Sequence, residues 1–229
     1  MEQYEKALQV VKLISINVTN GSLNGKDFII SQSIVMSEVA FKYAQTGQKA
    51  QAEQILVQAL QKAKTTDEMA EIALKYAQVG QKAKALQVLA QALQNAQQHP
   101  NNITNVAKVA VKYAQVGQQA EGEQLLAQAL QSIKKEKYGI NNFHLADIAV
   151  DYAELGQCNQ SIVIAKLIKN YPNYKAFKDA YITHDGLIVG AYSADVFAEI
   201  AMTCAAVGQY EQALQAIKET KYLTIKGKH

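Results

Sequence analysis

One segment recurs along the chain, and nothing else constrains its fold as much. VAFKYAQTGQKAQAEQILVQAL from Val39, IALKYAQVGQKAKALQVLAQAL from Ile72 and VAVKYAQVGQQAEGEQLLAQAL from Val109 align without gaps. Two weaker copies follow, IAVDYAELGQCNQSIVIAKLI from Ile148 and IAMTCAAVGQYEQALQAIKET from Ile200. The shared glycines are Gly47, Gly80, Gly117, Gly156 and Gly208, separated by 33, 37, 39 and 52 residues. QYEKALQVVKLI, within residues 1–14, matches the second half of the last copy, QYEQALQAIKET, so the chain opens on a half-repeat.

Each copy reads as two helices around a glycine. In the second copy Met69, Ile72, Ala73 and Tyr76 fall at i, i+3, i+4 and i+7, one face of a helix. Gly80 then reaches the left-handed conformation that closes helices. Ala85, Leu89 and Ala92 begin a second apolar stripe, with Leu86 and Leu93 beside it. So short a link makes the two helices antiparallel neighbours. Small residues at Ala73 and Ala85 let their axes approach closely. Glu38–Lys42 and Glu71–Lys75 stand at i, i+4 in the favourable order and are expected to pair within their own helices.

The pattern resembles the tetratricopeptide repeat (TPR), a helix–turn–helix unit with a large residue, then Leu-Gly and Tyr, and later Ala-x3-Phe. The matching residues are Met36, Val39, Ala40 and Tyr43 with Ala52 and Leu56; Met69, Ile72, Ala73 and Tyr76 with Ala85 and Leu89; and Val106, Val109, Ala110 and Tyr113 with Gly122 and Leu126. The fourth copy has Leu145, Ile148, Ala149 and Tyr152 with Ser161 and Ala165; the fifth has Phe197, Ile200, Ala201 and Cys204 with Ala213 and Ile217. Every copy lacks the family's tryptophan and its second-helix aromatic. The resemblance implies an all-α fold, a right-handed α-α superhelix of about five hairpins plus the N-terminal half-repeat, forming one domain over residues 1–229. The expected parts are the half-repeat 1–14, an irregular loop 15–32, repeats near 33–65, 66–101, 102–140 and 141–170, an insertion 171–194 and a last repeat 195–222. Asn20-Gly21 and Asn24-Gly25 in the loop are turn signals that allow a small hairpin. Tyr174–Tyr181 has room for extra helical turns, and Thr183–Gly190 reads as a loop.

Composition agrees with helix. The 229 residues include 27 Gln, 23 Lys, no Arg, no Trp and only 2 Pro, and long unbranched side chains lose little rotamer freedom in a helix. A net charge of +3 without a concentrated basic face argues against nucleic acid; the cluster Lys134, Lys135 and Lys137 reads as a solvated helix end. No apolar run is long enough to span a bilayer. The N-terminus lacks the basic and apolar regions of a signal peptide, which points to the cytoplasm. Cys158 and Cys204 have no metal or redox spacing and are expected to be reduced, buried apolar residues. The N-x-S/T sequons at Asn17, Asn20, Asn102 and Asn159 read as chance matches.

Chemistry finds no foothold. The chain has no GxSxG, phosphate-binding glycine loop or HExxH. His99, His144, His184 and His229 are scattered, and His184-Asp185-Gly186 has no companion ligands. No catalytic residue, metal or cofactor is expected. The resemblance instead places function on a concave face lined by the first helix of each hairpin. Phe41, Leu74, Val111, Val150 and Met202 form the expected apolar stripe, bordered by Gln45, Gln78, Gln115 and Glu154. Such a groove suits an apolar peptide segment or amphipathic helix of another protein. The alternatives are an acyl chain or other small molecule in the same groove, a regulatory segment of a larger multidomain protein, and packing of these side chains between hairpins. Tyr4, Leu8 and Val11 of the half-repeat lack a first-helix partner. They are expected to be covered by the 15–32 loop or by self-association with another chain.

Overall fold

The computed structural model describes residues 6, 22–23, 26–27, 31–98, 103–134, 142–169 and 190–226. Expectations about the half-repeat and Tyr174–Tyr181 fall outside these residues, apart from Lys6, which is helical. The loop does hold a small hairpin: β1 (Ser22–Leu23) pairs antiparallel with β2 (Lys26–Asp27), Ser22 opposite Asp27. All else described is helix and its turns. The helices are α1 (Gln32–Gln45), α2 (Lys49–Lys62), α3 (Thr66–Gln78), α4 (Lys82–Gln97), α5 (Ile103–Gln115), α6 (Gln119–Lys134), α7 (Asn142–Glu154), α8 (Cys158–Lys169), α9 (Gly190–Ala206) and α10 (Tyr210–Lys226). α9 begins at Gly190, inside the expected insertion, so the last repeat starts earlier than its periodic residues suggest.

Each conserved spacing has a local cause. Gly80 sits at φ 91°, where a Cβ would be strained. Behind it Gln81 N–H donates to Tyr76 O at 2.8 Å and Gly80 N–H donates to Ala77 O at 3.0 Å. This pair of bonds is the Schellman closure, which satisfies carbonyls that the helix leaves open. The same Gln-to-first-helix bond recurs from Gln48 to Tyr43, Gln118 to Tyr113, Gln157 to Tyr152 and Gln209 to Cys204. The start of α3 is capped as well: Glu68 N–H donates to Thr65 Oγ1 at 3.2 Å, and the Glu68 carboxylate accepts from Lys64 N–H at 2.5 Å.

The chain divides into two compact units, Met1–Gln119 and Ala120–His229, the boundary falling inside the repeat expected at 102–140. In the first unit α1 packs on α2 and α3 on α4 as antiparallel hairpins. The first helices also pack side by side, α1 on α3 and α3 on α5, while α2 leans on α3 and α4 on α5. The alanine one residue after each Val or Ile of the repeat lies at these crossings: Ala40, Ala73 and Ala110 are fully buried. Ala52 and Ala85 answer them from the second helices. In the second unit α7 pairs with α8 and α9 with α10, and α9 also packs on α7 and α8. Ala149 and Ala201 hold the equivalent crossing positions. Buried Ser161 donates its hydroxyl to Ala149 O at 2.5 Å, which lets a polar residue occupy the small-residue site without an orphaned group.

Two expectations are corrected. Cys158 and Cys204 are not reduced: they form a disulfide from the start of α8 to α9, with Cα atoms 5.9 Å apart. Their 46-residue separation carries no signal, because the pairing arises from docking of successive hairpins. Nor do Glu38 and Glu71 pair with Lys42 and Lys75 in their own helices. Glu38 accepts from Lys75 at 2.6 Å and Glu71 from Lys112 at 2.8 Å, each one hairpin further on. Lys42 instead donates to Gln45 Oε1 at 3.3 Å.

Candidate functional site

In the first unit the repeat places the same positions of α1, α3 and α5 in columns on one face. Glu38, Phe41, Lys42 and Gln45 follow one another at helical spacing, as do Glu71, Leu74, Lys75 and Gln78, then Lys108, Val111, Lys112 and Gln115. Because the helices stack side by side, each lysine reaches back to the acid of the preceding first helix. Asp67 joins this ladder by accepting from Lys108 at 2.7 Å. The stems of Lys75 and Lys112 are largely covered, and only their ammonium ends reach the acids near the surface. The Lys75 ammonium also lies 5.0 Å from the centre of the Phe41 ring, a cation–π contact.

The expected stripe is therefore divided. Phe41 and Leu74 are half-buried, Phe41 beneath Lys75; Val111 is only 2 % exposed and faces no solvent. Gln45, Gln78 and Gln115 are exposed along one edge. In the second unit Val150 is half-buried, Glu154 is exposed and Met202 is 68 % exposed. The corresponding face of the second unit carries acids where the first carries lysines: α7 has Asp147, Asp151 and Glu154, and α9 has Glu199.

Sequence reasoning missed the ladder, because Glu38 and Glu71 each have a lysine at i+4 in their own helix and only the stacking of hairpins decides which lysine they meet. Each acid pairs with a lysine one repeat plus one helical turn further along. Tyr76 in the first unit and Tyr152 in the second are held in their neutral form. Burial pushes the phenol of Tyr76 above its ordinary range, and Glu53 adds to the shift; burial and then Glu123 do the same to Tyr152. Among the described residues no cluster of His, Cys, Asp and Glu could hold a metal ion, and no helix is long and apolar enough to cross a membrane.

No family model matches the chain, and no curated protein sequence matches it. Solved structures with a similar course are TPR-like repeats described as kinesin light chain, from Podosopora anserina, at 19 % identity over 87 % of this chain and 98 % of that one, with a TM-score of 0.42. BtubC from P. vanneervenii shares 15 % identity over 100 % of this chain and 91 % of its own, also at 0.42. MamA of AMB-1 shares 19 % identity over 83 % and 98 %, at 0.35.

Proposed function

We infer that this chain of TPR-like hairpins is a non-catalytic protein-interaction scaffold, and that the first-helix face of residues 31–119 takes an apolar segment or amphipathic helix of a partner. The observation that supports this is the pair Phe41 and Leu74, half-buried in register on adjacent helices and framed by the Glu38–Lys75 and Glu71–Lys112 pairs. Apolar anchors set between fixed charges can read both the hydrophobic spacing and the flanking charge of a docked helix. Val111 is dropped from the contact surface because it is already covered. Gln45, Gln78 and Gln115 would border the partner with neutral hydrogen-bonding groups. Val150, Glu154 and Met202 would serve the same role on the second unit, toward a segment of basic rather than mixed flanks.

The test selects peptides from a random displayed library against the full chain and rereads them against Phe41→Gln with Leu74→Gln. Selected peptides should carry apolar residues at i, i+3 or i+4, and i+7. Each lost anchor should weaken them about tenfold or more, since a fully buried apolar side chain is worth about 1.5–3 kcal/mol. The thermal melt should move little, because both side chains are already part-solvated. Peptides without helical periodicity, or binding unchanged in the double variant, would remove this face as the site. The Cys158–Cys204 disulfide stands against the cytoplasmic placement read from the N-terminus, since disulfides persist in oxidising compartments and are rare in the cytosol. A thiol count on protein taken from its own cells, alkylated at lysis, separates the two settings.

A further inference from the structure

We propose that the outer face of α10 is a self-association surface, on which two copies of this chain pack α10 against α10 in antiparallel fashion about a two-fold axis. Along α10 the inward side is Ala213 and Ala216, which bury against the rest of the second unit. Its outward side is apolar too. Tyr210 is 68 % exposed, Leu214 59 % and Ile217 42 %. The three fall at i, i+4 and i+7, a single stripe over two turns. No described element packs on this side of the helix.

The repeat itself shows that this exposure is unusual. The residue nine positions after the turn glycine is Leu56, Leu89, Leu126, Ala165 or Ile217. The first four are buried, and only Ile217 is open. Six positions after the glycine, Ile162 of α8 is buried and its counterpart Leu214 is not. Two positions after it, the first three copies carry Lys49, Lys82 and Gln119, and the last carries Tyr210. The final second helix therefore leaves open an apolar position that every earlier hairpin buries, and adds an aromatic where the first three copies are polar. A stripe of this kind in water favours an apolar partner.

The charges select the occupant. Glu211 and Lys218 lie beside the stripe on the same flank, both exposed, and neither forms an ion pair with another described residue. With Tyr210 and Ile217 at heptad position d and Leu214 at a, both charges fall at e, where interhelical ion pairs set orientation. In an antiparallel pair with its axis beside Leu214, Glu211 of one copy meets Lys218 of the other, and symmetry repeats the pair across the axis. Leu214 then packs against its own symmetry mate. A parallel pair forms neither ion pair. The surface is thus complementary to itself, as an isologous contact requires.

Sedimentation velocity of the full chain over a concentration series tests this. The native chain should form a weak, concentration-dependent dimer. Leu214→Gln should raise its dissociation constant about a hundredfold, since two copies of the side chain leave the interface at once. Glu211→Lys and Lys218→Glu should each weaken the dimer about tenfold, because each sets like charges opposite one another twice. An equimolar mixture of those two variants should regain native affinity through a heterodimer with both pairs restored, and so should the double variant. All these residues are exposed, so circular dichroism should report native helix throughout. A native chain that stays monomeric overturns the proposal. So does a dimer that survives Leu214→Gln, which would place association elsewhere. A mixture no tighter than its components would overturn the antiparallel register.

Discussion

Lys75 shows how much one side chain does when a repeat sets its neighbours. Its stem lies between α1 and α3, its ammonium meets Glu38, and the same charge sits over Phe41. Replacing it with methionine keeps much of the packing and removes both electrostatic contacts. A urea midpoint should report a loss of about 1 kcal/mol or less, as expected for a pair whose acid is half-exposed. Ala73 is the opposite case, a residue whose value is its smallness. It is fully buried at the crossing of α3 with its neighbours, so Ala73→Leu should overpack the site and cost about 1–3 kcal/mol. An unchanged urea midpoint would contradict the crossing itself. Ala73 could be read from sequence as a close-packing site, because every copy has alanine there. The partner of Lys75 could not, because an i, i+4 acid was present in its own helix and only the stacking of hairpins decides between the two.

At the scale of the element, helix ends carry the information. Every turn glycine is followed by glutamine, and the backbone bond of that glutamine closes the first helix; the side chain of Gln209 also donates to Gly156 O, joining two successive turns. The start of α3 is the best-defined cap. Thr65→Ala should cost about 0.5–2 kcal/mol, read from the same urea melts. Burial alone would raise the Glu68 carboxyl, but hydrogen bonds from Ser31, Lys64 N–H, Ser33 and Thr65 N–H outweigh it and hold the group below its ordinary 4.5. A carboxylate with a depressed folded pKa stabilises the fold above its unfolded value, and that contribution is lost as pH falls through the folded one. The native chain should therefore be more stable than Glu68→Gln at neutral pH. The difference should shrink as pH drops below about 4.5 and the carboxyl protonates. A difference that stays constant through acid would show that the charge on Glu68 contributes nothing to the cap.

At the scale of the whole molecule the two units differ in how they are held. Residues 31–119 have no cysteine and rely on alanine crossings and the ion-pair ladder. Residues 120–229 add a covalent tie between successive hairpins. A loop of this length typically contributes about 2–4 kcal/mol, mainly by restricting the unfolded chain. Reductant, or Cys158→Ala with Cys204→Ala, should lower amide protection in α8, α9 and α10 in a hydrogen-exchange experiment and leave α1 to α4 unchanged. Equal loss in both units would mean that the tie supports more than its own hairpins.

The periodicity of apolar and small residues determined the helices, their pairing into hairpins and the position of each turn, since these depend on contacts within about one repeat of sequence. Ala40, Ala73, Ala110, Ala149 and Ala201 could be assigned to the core from their recurrence alone. The tertiary structure decided what recurrence cannot: Val111 is covered while Leu74 at the same repeat position is half-open, Glu38 pairs with Lys75 rather than Lys42, Cys158 meets Cys204, and Ile217 stays exposed where Leu56 and Leu89 are buried. Each of these depends on which element packs against a hairpin from outside. A repeat states the same residue in every copy, but the neighbour that covers it changes along the stack, and burial, pairing and availability to a partner follow the neighbour.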